Sequence, residues 1–265
     1  MDGNKPLFEL TPDFIHQNIK ALTFDLDGVI VPKGTIVEES PDGTDLHIKT
    51  KKLSSEMVDM IKRLKKYFWI NFSSGKGLLY LQHMLDDILW EKVSLCAENG
   101  NFILMDGKVH QLVDYDLSYF QKITDIRGEI KLLKQQQPDI FFGFEPKHII
   151  MTVYAANPVP EIEQIVKKHD PQGELYCLWT NEGYDVGHKN TSKRTGLQFL
   201  IDRLGIGPKQ MITSGNNLND REMLEFGVGV TVDPERVGGD FAIPKVEGQL
   251  GGEVLAKYLL EVMER

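Results

Sequence analysis

One short stretch, Ala21–Val29, constrains this chain more than any other. Its first four residues have strand character, and two carboxylates, Asp25 and Asp27, follow one residue apart, with Gly28 directly after them. Residues i and i+2 of a strand share a face, so we expect both acids to point into one crevice. Unpaired carboxylates near a core are costly, which makes the pair a candidate site for chemistry.

Two neighbouring negative charges need a cation, and Mg²⁺ with its oxygen ligands suits them. Gly28 allows a sharp chain reversal after the pair. The plain structural alternative is a strand end capped by turn-forming aspartates. A calcium-binding loop is excluded, because the third acid and the glycine of that motif are misplaced.

The pattern around this stretch is strand, helix, strand, helix, strand. The predicted strands are Ile19–Phe24, Phe68–Phe72 and Val93–Ala97, with amphipathic helical patterns between them. This alternation predicts an α/β fold with a parallel sheet and right-handed crossovers. The same rhythm resumes after residue 188, where a helix from Lys193 precedes a strand at Gln210–Ser214.

Between these two regions the rhythm changes to hairpins that alternate with helices. Asp106-Gly107 and Asn181-Glu182-Gly183 are turn sequences between strand patterns, and a long amphipathic helix is predicted over Leu117–Gln135. We therefore predict an inserted α+β domain over residues 103–188. The core domain would comprise residues 1–102 and 189–265.

Composition excludes several classes of partner. The formal charge is −9, and the densest basic cluster, residues 62–66, lies on a helix pattern typical of a solvated face, which disfavours nucleic acid. Cys96 and Cys177 lie in apolar contexts typical of reduced core residues. No signal pattern opens the chain and no apolar run approaches membrane length, so we expect a cytoplasmic protein without a membrane partner.

Polar residues gather where strands end, at the edge that forms sites in open α/β sheets. They are Asp25 and Asp27, Ser74, the helix start at Lys193, and the loop that contains Asn216 and Asp220. Positive side chains in the first turn of a helix oppose the helix dipole, which favours a functional role for one of Lys193 and Arg194. Ser74 and Asp220 would also suit helix N-caps, and that role is compatible with function.

These motifs, in this order, resemble the haloacid dehalogenase superfamily of phosphatases, within it the Cof-type branch (subfamily IIB) with a C2-type cap. The matching segments are Phe24-Asp25-Leu26-Asp27-Gly28, Phe72-Ser73-Ser74-Gly75-Lys76, Glu98-Asn99-Gly100, Thr191-Ser192-Lys193, and Gly215-Asn216-Asn217-Leu218-Asn219-Asp220 with Met223-Leu224. The resemblance implies a Rossmann-like parallel-sheet core with an inserted α+β cap that closes over the site.

The resemblance also implies catalytic roles. Asp25 would be the nucleophile that attacks phosphorus, and Asp27 the general acid and base. Ser74 and Gly75 would bind the phosphate together with Lys193, which would also offset charge on the nucleophile. Lys76 stands where relatives often carry Arg, and the sequence leaves open whether it contacts phosphate or is a solvated charge.

The metal site implied by the resemblance is a Mg²⁺ ion held by Asp25, Asp27, Asn216 and Asp220. Asn216 departs from the pattern, since the superfamily usually has an acid there. An amide oxygen can still coordinate Mg²⁺, but the loss of one negative charge should weaken its affinity. Some sugar-phosphatase relatives are similar in carrying Asn at this position.

The resulting hypothesis is a Mg²⁺-dependent phosphomonoesterase that acts on a small phosphorylated metabolite, most simply a sugar phosphate. The alternatives are a phosphomutase of the same superfamily and a non-catalytic protein that binds a phosphometabolite. We expect a monomer or a small homo-oligomer, because the hairpin pattern near 35–49 is similar to a flap that assists assembly in capless relatives. Lys147, His148, Asn181 and Glu182 are candidate substrate contacts that their spacing does not decide.

Overall fold

The predicted strands and helices form along most of the chain, and the computed structural model describes residues 4–265. Within that range the strands are, in chain order, β1 (Lys5–Pro6), β2 (Ala21–Phe24), β3 (Ile36–Glu39), β4 (Leu46–Lys49), β5 (Trp69–Ser73), β6 (Val93–Ala97), β7 (Phe102–Met105), β8 (Lys108–Gln111), β9 (Phe141–Glu145), β10 (Met151–Ala155), β11 (Leu175–Trp179), β12 (Gly183–His188), β13 (Met211–Gly215), β14 (Val228–Thr231) and β15 (Phe241–Ala242). The α-helices are α1 (Pro12–Asn18), α2 (Ser55–Leu64), α3 (Leu78–Met84), α4 (Leu117–Gln136), α5 (Pro160–His169), α6 (Lys193–Leu204), α7 (Arg221–Phe226) and α8 (Gly251–Met263). No helix in the described range is long and apolar enough to cross a bilayer.

The chain divides into two compact units, each built from separate segments. Unit 1 comprises the residues up to Lys33 together with Lys51–Leu112 and Ser192–Arg265. Unit 2 comprises Gly34–Thr50 and Val113–Thr191.

Unit 1 contains one sheet with the strand order β1-β15-β14-β13-β2-β5-β6-β7-β8. In this order, all pairings between neighbouring strands from β1 at one edge as far as β6 are parallel. Strands β7 and β8 add an antiparallel hairpin at the other edge. This confirms the predicted α/β class. Because β2 lies between β13 and β5, the residues that follow these three strands emerge side by side.

Both faces of this sheet are covered by helices. Leu22 and Phe24 belong to one apolar cluster and Ala21 to a second, as expected for side chains that alternate across a strand. The first cluster includes residues of α2, α3 and α8, and the second residues of α6 and α7. Helix α2 begins as the sequence predicts, because the Ser54 hydroxyl accepts the N–H of Met57 at 3.1 Å.

Unit 2 contains an antiparallel sheet with the order β11-β12-β10-β9, together with α4, α5 and the hairpin of β3 and β4. Helix α4 buries Tyr119, Ile123, Ile126 and Ile130, which lie on one face at helical spacing. Hairpins and helices in one unit match the predicted α+β character.

The unit boundaries differ from the prediction in two places. The predicted insert began at residue 103, but β7 pairs with β6 and the hairpin that follows stays in unit 1. The hairpin of β3 and β4 was assigned to the core, but it belongs to unit 2. There Val37 is 1% exposed, and Lys134 Nζ lies 2.6 Å from Glu39 Oε2. Both differences arise from strand packing partners that local sequence patterns do not reveal.

Candidate active site

Asp25 and Asp27 follow the central strand β2, as predicted. The N–H of Asp25 donates to the carbonyl of Ser214 at 2.9 Å, so the ladder with β13 continues to the first acid. Leu26 between the two acids is completely buried, which anchors this turn in the core. Asp25 is buried, whereas the side chain of Asp27 is 24% exposed.

Lys193 is a buried lysine whose ammonium group bridges two carboxylates. Its Nζ lies 2.6 Å from Asp25 Oδ1 and 2.6 Å from Asp220 Oδ1, and its side chain has no exposed area. Lys193 is the first residue of α6, whose start is capped by a bond from the N–H of Ser192 to Thr195 Oγ1. The three charges leave water together, so removal of Lys193 would leave two buried carboxylates without compensation.

Burial and neighbouring charges shift the ionisation of this group. Burial raises the pKa of Asp25 to about 7, the negative charge of Asp220 adds to the rise, and Lys193 opposes it. Burial alone would lower the pKa of Lys193, but Asp220 and Asp25 outweigh it and the net shift of that pKa is upward. A further cation beside Asp25 would favour its ionised form.

Asp220 holds the loop that follows β13. Its Oδ2 accepts the backbone N–H groups of Asn216 at 2.9 Å and Asn217 at 3.0 Å. A Cβ at Gly215 would lie 2.5 Å from the Asp220 side chain, so this close approach requires glycine. The loop in turn directs Asn216, whose Nδ2 donates to the carbonyl oxygen of Asp27 at 2.9 Å.

Ser74 lies in a loop tied to its neighbours by backbone bonds. Its N–H donates to the Cys96 carbonyl at 2.9 Å, and its carbonyl accepts the N–H of Asn99 at 3.1 Å. Its Oγ accepts the N–H of Lys76 at 3.2 Å, which leaves the hydroxyl proton able to donate. Gly75 beside it is half-buried, so both predicted phosphate-binding residues lie in this loop after β5.

Lys76, which the sequence left undecided, is buried and paired with Asp27. Its Nζ lies 3.1 Å from Asp27 Oδ2 and 4.9 Å from the centre of the Tyr80 ring. Its side chain is only 5% exposed. A solvated surface lysine is therefore the wrong description of this residue.

Comparison with known proteins supports the same superfamily. The family described as haloacid dehalogenase-like hydrolase matches residues 130–234. A phosphoglycolate phosphatase of Methanopyrus kandleri is 22% identical over 246 residues, which cover 90% of this chain and 96% of that protein. The C-terminal domain of a trehalose-6-phosphate phosphatase from C. albicans shares the fold with a TM-score of 0.70 at 15% identity, over 100% of this chain and 99% of that one. A sugar phosphatase of haloacid dehalogenase subclass IIB shares it with a TM-score of 0.63 at 16% identity, over 91% and 99% of the two chains.

Residues 130–234 match the haloacid dehalogenase-like hydrolase family, and the whole chain shares its fold with members of that superfamily. The motif order along the sequence, the matching family and the shared fold agree on this superfamily. The predicted resemblance to its Cof-type phosphatases and the prediction of an enzyme are thereby confirmed.

Haloacid dehalogenase enzymes generally use Mg²⁺, an ion that binds oxygen ligands. Among residues 4–265, no group of three or more His, Cys, Asp or Glu side chains is arranged to hold a metal. Both oxygens of Asp220 already accept hydrogen bonds, from Lys193 and from the loop, and its role as a metal ligand stays a prediction. Without it, the predicted ligands are Asp25, Asp27 and Asn216.

This reduced donor set still suits Mg²⁺. All of its donors can be oxygens, which hard cations prefer. The site has three carboxylates, Asp25, Asp27 and Asp220, against two ammonium groups, Lys76 and Lys193, which leaves one negative charge in excess. A cation would compensate that charge.

The sequence left the role of Lys76 open, and the structure places this lysine beside Asp27. The side-chain stem of Lys33 approaches Gly28 so closely that a Cβ there would lie 2.7 Å from Lys33 Cε. Gly28 has a φ of +78°, so glycine is required there for backbone reasons as well. No sequence signal identified Lys33, because its approach depends on the path of the chain after the turn.

Lys147, a candidate substrate contact in unit 2, has a buried ammonium group. Its side chain is 2% exposed, and its Nζ lies 3.4 Å from Glu145 Oε2 and 3.6 Å from Asp185 Oδ1. The hydroxyl of Tyr154 donates to the same oxygen of Glu145 at 3.0 Å. Lys147 is thus part of a buried ionic cluster within this unit.

Proposed function

We propose that the chain is a Mg²⁺-dependent phosphomonoesterase that hydrolyses a small phosphorylated metabolite through an aspartyl-phosphate. The observation that carries the proposal is the buried contact of Lys193 with both Asp25 and Asp220, with Asp27 two residues after Asp25. This arrangement provides a nucleophile, a fixed positive charge beside it and a second carboxyl group for proton transfer.

In the first half-reaction an oxygen of Asp25 attacks phosphorus, and the bond from phosphorus to the ester oxygen breaks. The carboxylic acid form of Asp27 gives its proton to the departing oxygen, which leaves as an alcohol. Lys193 offsets the negative charge on Asp25 and on the phosphoryl group, and Ser74 donates its hydroxyl proton to a phosphate oxygen.

In the second half-reaction the carboxylate of Asp27 takes a proton from water. The hydroxide equivalent attacks phosphorus, the bond to Asp25 breaks, and inorganic phosphate leaves with Asp25 restored. Bound Mg²⁺ would neutralise phosphate charge, and Asp25, Asp27 and Asn216 are the residues that would hold it.

A sugar phosphate is the substrate class we favour. The shared fold with a sugar phosphatase and with a trehalose-6-phosphate phosphatase domain supports that class. The similarity to a phosphoglycolate phosphatase supports a small phosphorylated acid as a second group to test.

The test is phosphate release from a panel of sugar phosphates and phosphoglycolate, each with Mg²⁺ and with EDTA. We expect Mg²⁺-dependent release from at least one ester, and no release by Asp25→Asn. Phosphate release by Asp25→Asn at the wild-type rate would exclude the aspartyl-phosphate route. Interconversion of sugar phosphates without phosphate release would identify a phosphomutase instead.

Three further statements stay predictions. They are the role of unit 2 as a substrate-selecting cap, the monomeric or small homo-oligomeric state, and the cytoplasmic location. Cys96 and Cys177 are both free thiols, which supports a reducing compartment.

A further inference from the structure

The ion pair between Lys76 and Asp27 has no role in the proposed reaction as described so far. Its two ends differ in exposure, because the Lys76 side chain is 5% exposed and that of Asp27 is 24% exposed. The Lys76 Nζ lies 3.1 Å from Oδ2 of Asp27. The pair is thus buried at the lysine and open at the carboxylate.

Lys76 is itself held in place at three points. Its N–H donates to Ser74 Oγ at 3.2 Å, and its carbonyl accepts the N–H of Glu98 at 3.0 Å. Its ammonium group lies over the ring of Tyr80, at 4.9 Å from the ring centre, which favours a cation at that position. A charge fixed in this way can orient a more exposed partner.

We propose that Lys76 is a positioning residue that holds Asp27 as an oriented carboxylate for the second half-reaction. With Oδ2 engaged by Lys76, Oδ1 of Asp27 is the oxygen left to accept the proton of the attacking water. The inference rests on the proposed phosphatase function, and it assigns Lys76 to hydrolysis of the aspartyl-phosphate and not to phosphate binding.

This assignment has a distinct kinetic consequence. With p-nitrophenyl phosphate the first half-reaction needs little proton donation, since nitrophenolate is a good leaving group. Loss of Lys76 should therefore slow only the second half-reaction. The parameter kcat/KM reports steps up to release of nitrophenol, so it should hold while kcat and KM fall together.

The experiment compares the wild type with Lys76→Met and Lys76→Arg on p-nitrophenyl phosphate, in the steady state and by rapid mixing. For Lys76→Met we expect kcat and KM each to fall about 100-fold, the low end of the range for one proton-transfer group, with kcat/KM within about threefold. Rapid mixing should show a burst of nitrophenol, and acid quenching should trap more phosphorylated protein. Lys76→Arg should restore much of kcat, because it keeps the positive charge.

The matched control is Lys52→Met, which removes a lysine from an exposed pair with Asp86 and should change neither parameter. In an Asp27→Asn background, Lys76→Met should have little further effect, because the two residues act as one unit. If Lys76→Met does not fold, as judged by circular dichroism, Lys76→Gln takes its place in every measurement.

The outcomes separate the possibilities. A tenfold or larger fall in kcat/KM without a burst would overturn the inference and make Lys76 a phosphate contact. Unchanged kinetics in Lys76→Met would also overturn it, while the phosphatase function would stand. A wild type that hydrolyses no phosphate ester in the presence of Mg²⁺ would overturn the proposed function and this inference together.

Discussion

At the scale of single residues, the site holds more negative charge than it neutralises. Lys193 is shared by Asp25 and Asp220, and neither carboxylate has a lysine of its own at that point. Evolution for stability alone would favour apolar side chains or a balanced pair at such depth. A bound cation would offset the excess negative charge, so the metal-free protein should become more stable when one of these carboxylates is made neutral.

The first prediction is that Asp25→Asn abolishes turnover yet stabilises the metal-free protein at alkaline pH. The pKa of Asp25 rises from 3.8 to about 7 on folding, so its contribution to stability is present below about 3.8 and lost as pH rises towards 7. The asparagine does not ionise, and its advantage over the wild type should grow between pH 4 and pH 8. At pH 8 we expect about 2–4 kcal/mol, since one pKa unit corresponds to about 1.4 kcal/mol.

Urea unfolding in EDTA at several pH values measures this difference. Asp42→Asn is a control of opposite sign, because bonds from Ser40 and Thr44 hold the pKa of Asp42 at about 2 in the folded state. A stability difference for Asp25→Asn that shrinks as pH rises would contradict the assigned direction.

The second prediction concerns Asn216. Its Nδ2 donates to the carbonyl of Asp27, and Asn216→Asp replaces that donor with a carboxylate facing an oxygen. A cation then becomes necessary to bridge the two oxygens, so Mg²⁺ should bind more tightly and half-maximal activation should need several-fold less of it. Titration of activity with Mg²⁺ in both proteins, with calorimetric Mg²⁺ binding beside it, tests this. An identical activation midpoint and identical binding would place Asn216 outside the metal site.

At the scale of elements, one short turn aligns two parts of the site. Glu98, Asn99 and Gly100 form a 3-10 turn in which all three have positive φ, of 50°, 53° and 95°. The turn binds the Ser74 loop through its N–H groups, and Gly100 lies against the residue before α6. Its position relative to both depends on the absence of a side chain at Gly100.

The third prediction is that Gly100→Ala destabilises the protein by about 2–4 kcal/mol and lowers kcat. A Cβ at Gly100 would lie 2.0 Å from the Ser192 carbonyl oxygen, so overpacking adds to backbone strain. Gly107→Ala is the matched control, because Gly107 has a φ of 73° and no atom within 4 Å of an added Cβ. That variant should lose only about 1 kcal/mol and keep wild-type kcat. Thermal melts and kinetics measure both, and equal losses in the two variants would show that crowding at Ser192 has no effect.

At the scale of the whole molecule, each of the two units is built from segments that are separate in the sequence. We expect the segments of one unit to unfold locally together, and separately from those of the other unit. Each unit has its own buried residues, such as Ile162 in unit 2 and Leu22 in unit 1, both without exposed area. Local opening follows such cooperative units, so a cavity in one unit should affect the segments of that unit most.

The fourth prediction is that Ile162→Ala speeds hydrogen exchange in residues 36–49 and 113–191 and leaves β2 and β13 protected. The cavity should cost about 2–5 kcal/mol of stability. Leu22→Ala should have the reverse pattern. Faster exchange of residues 36–49 in Leu22→Ala, but not in Ile162→Ala, would contradict their assignment to unit 2.

Local sequence patterns were enough to predict the α/β core, the order of the site motifs and the resemblance to the haloacid dehalogenase superfamily. The core follows from local patterns such as the apolar run before Asp25 and the N-cap at Ser54. The site follows because the loops after parallel strands all lie at the same edge of the sheet. Helix periodicity and strand length depend on neighbours in sequence, so one chain suffices to predict them.

The ion pairs of the site, and the unit to which each hairpin belongs, became known from the folded structure alone. The sequence left open whether Lys76 is solvated, whereas the fold pairs Lys76 with Asp27 and joins Asp220 to Lys193 and to its own loop. It likewise places the hairpin of β3 and β4 with unit 2 through Glu39 and Lys134. Each of these contacts joins residues far apart in the chain, and their energies depend on burial and distance, which arise only when the chain has folded.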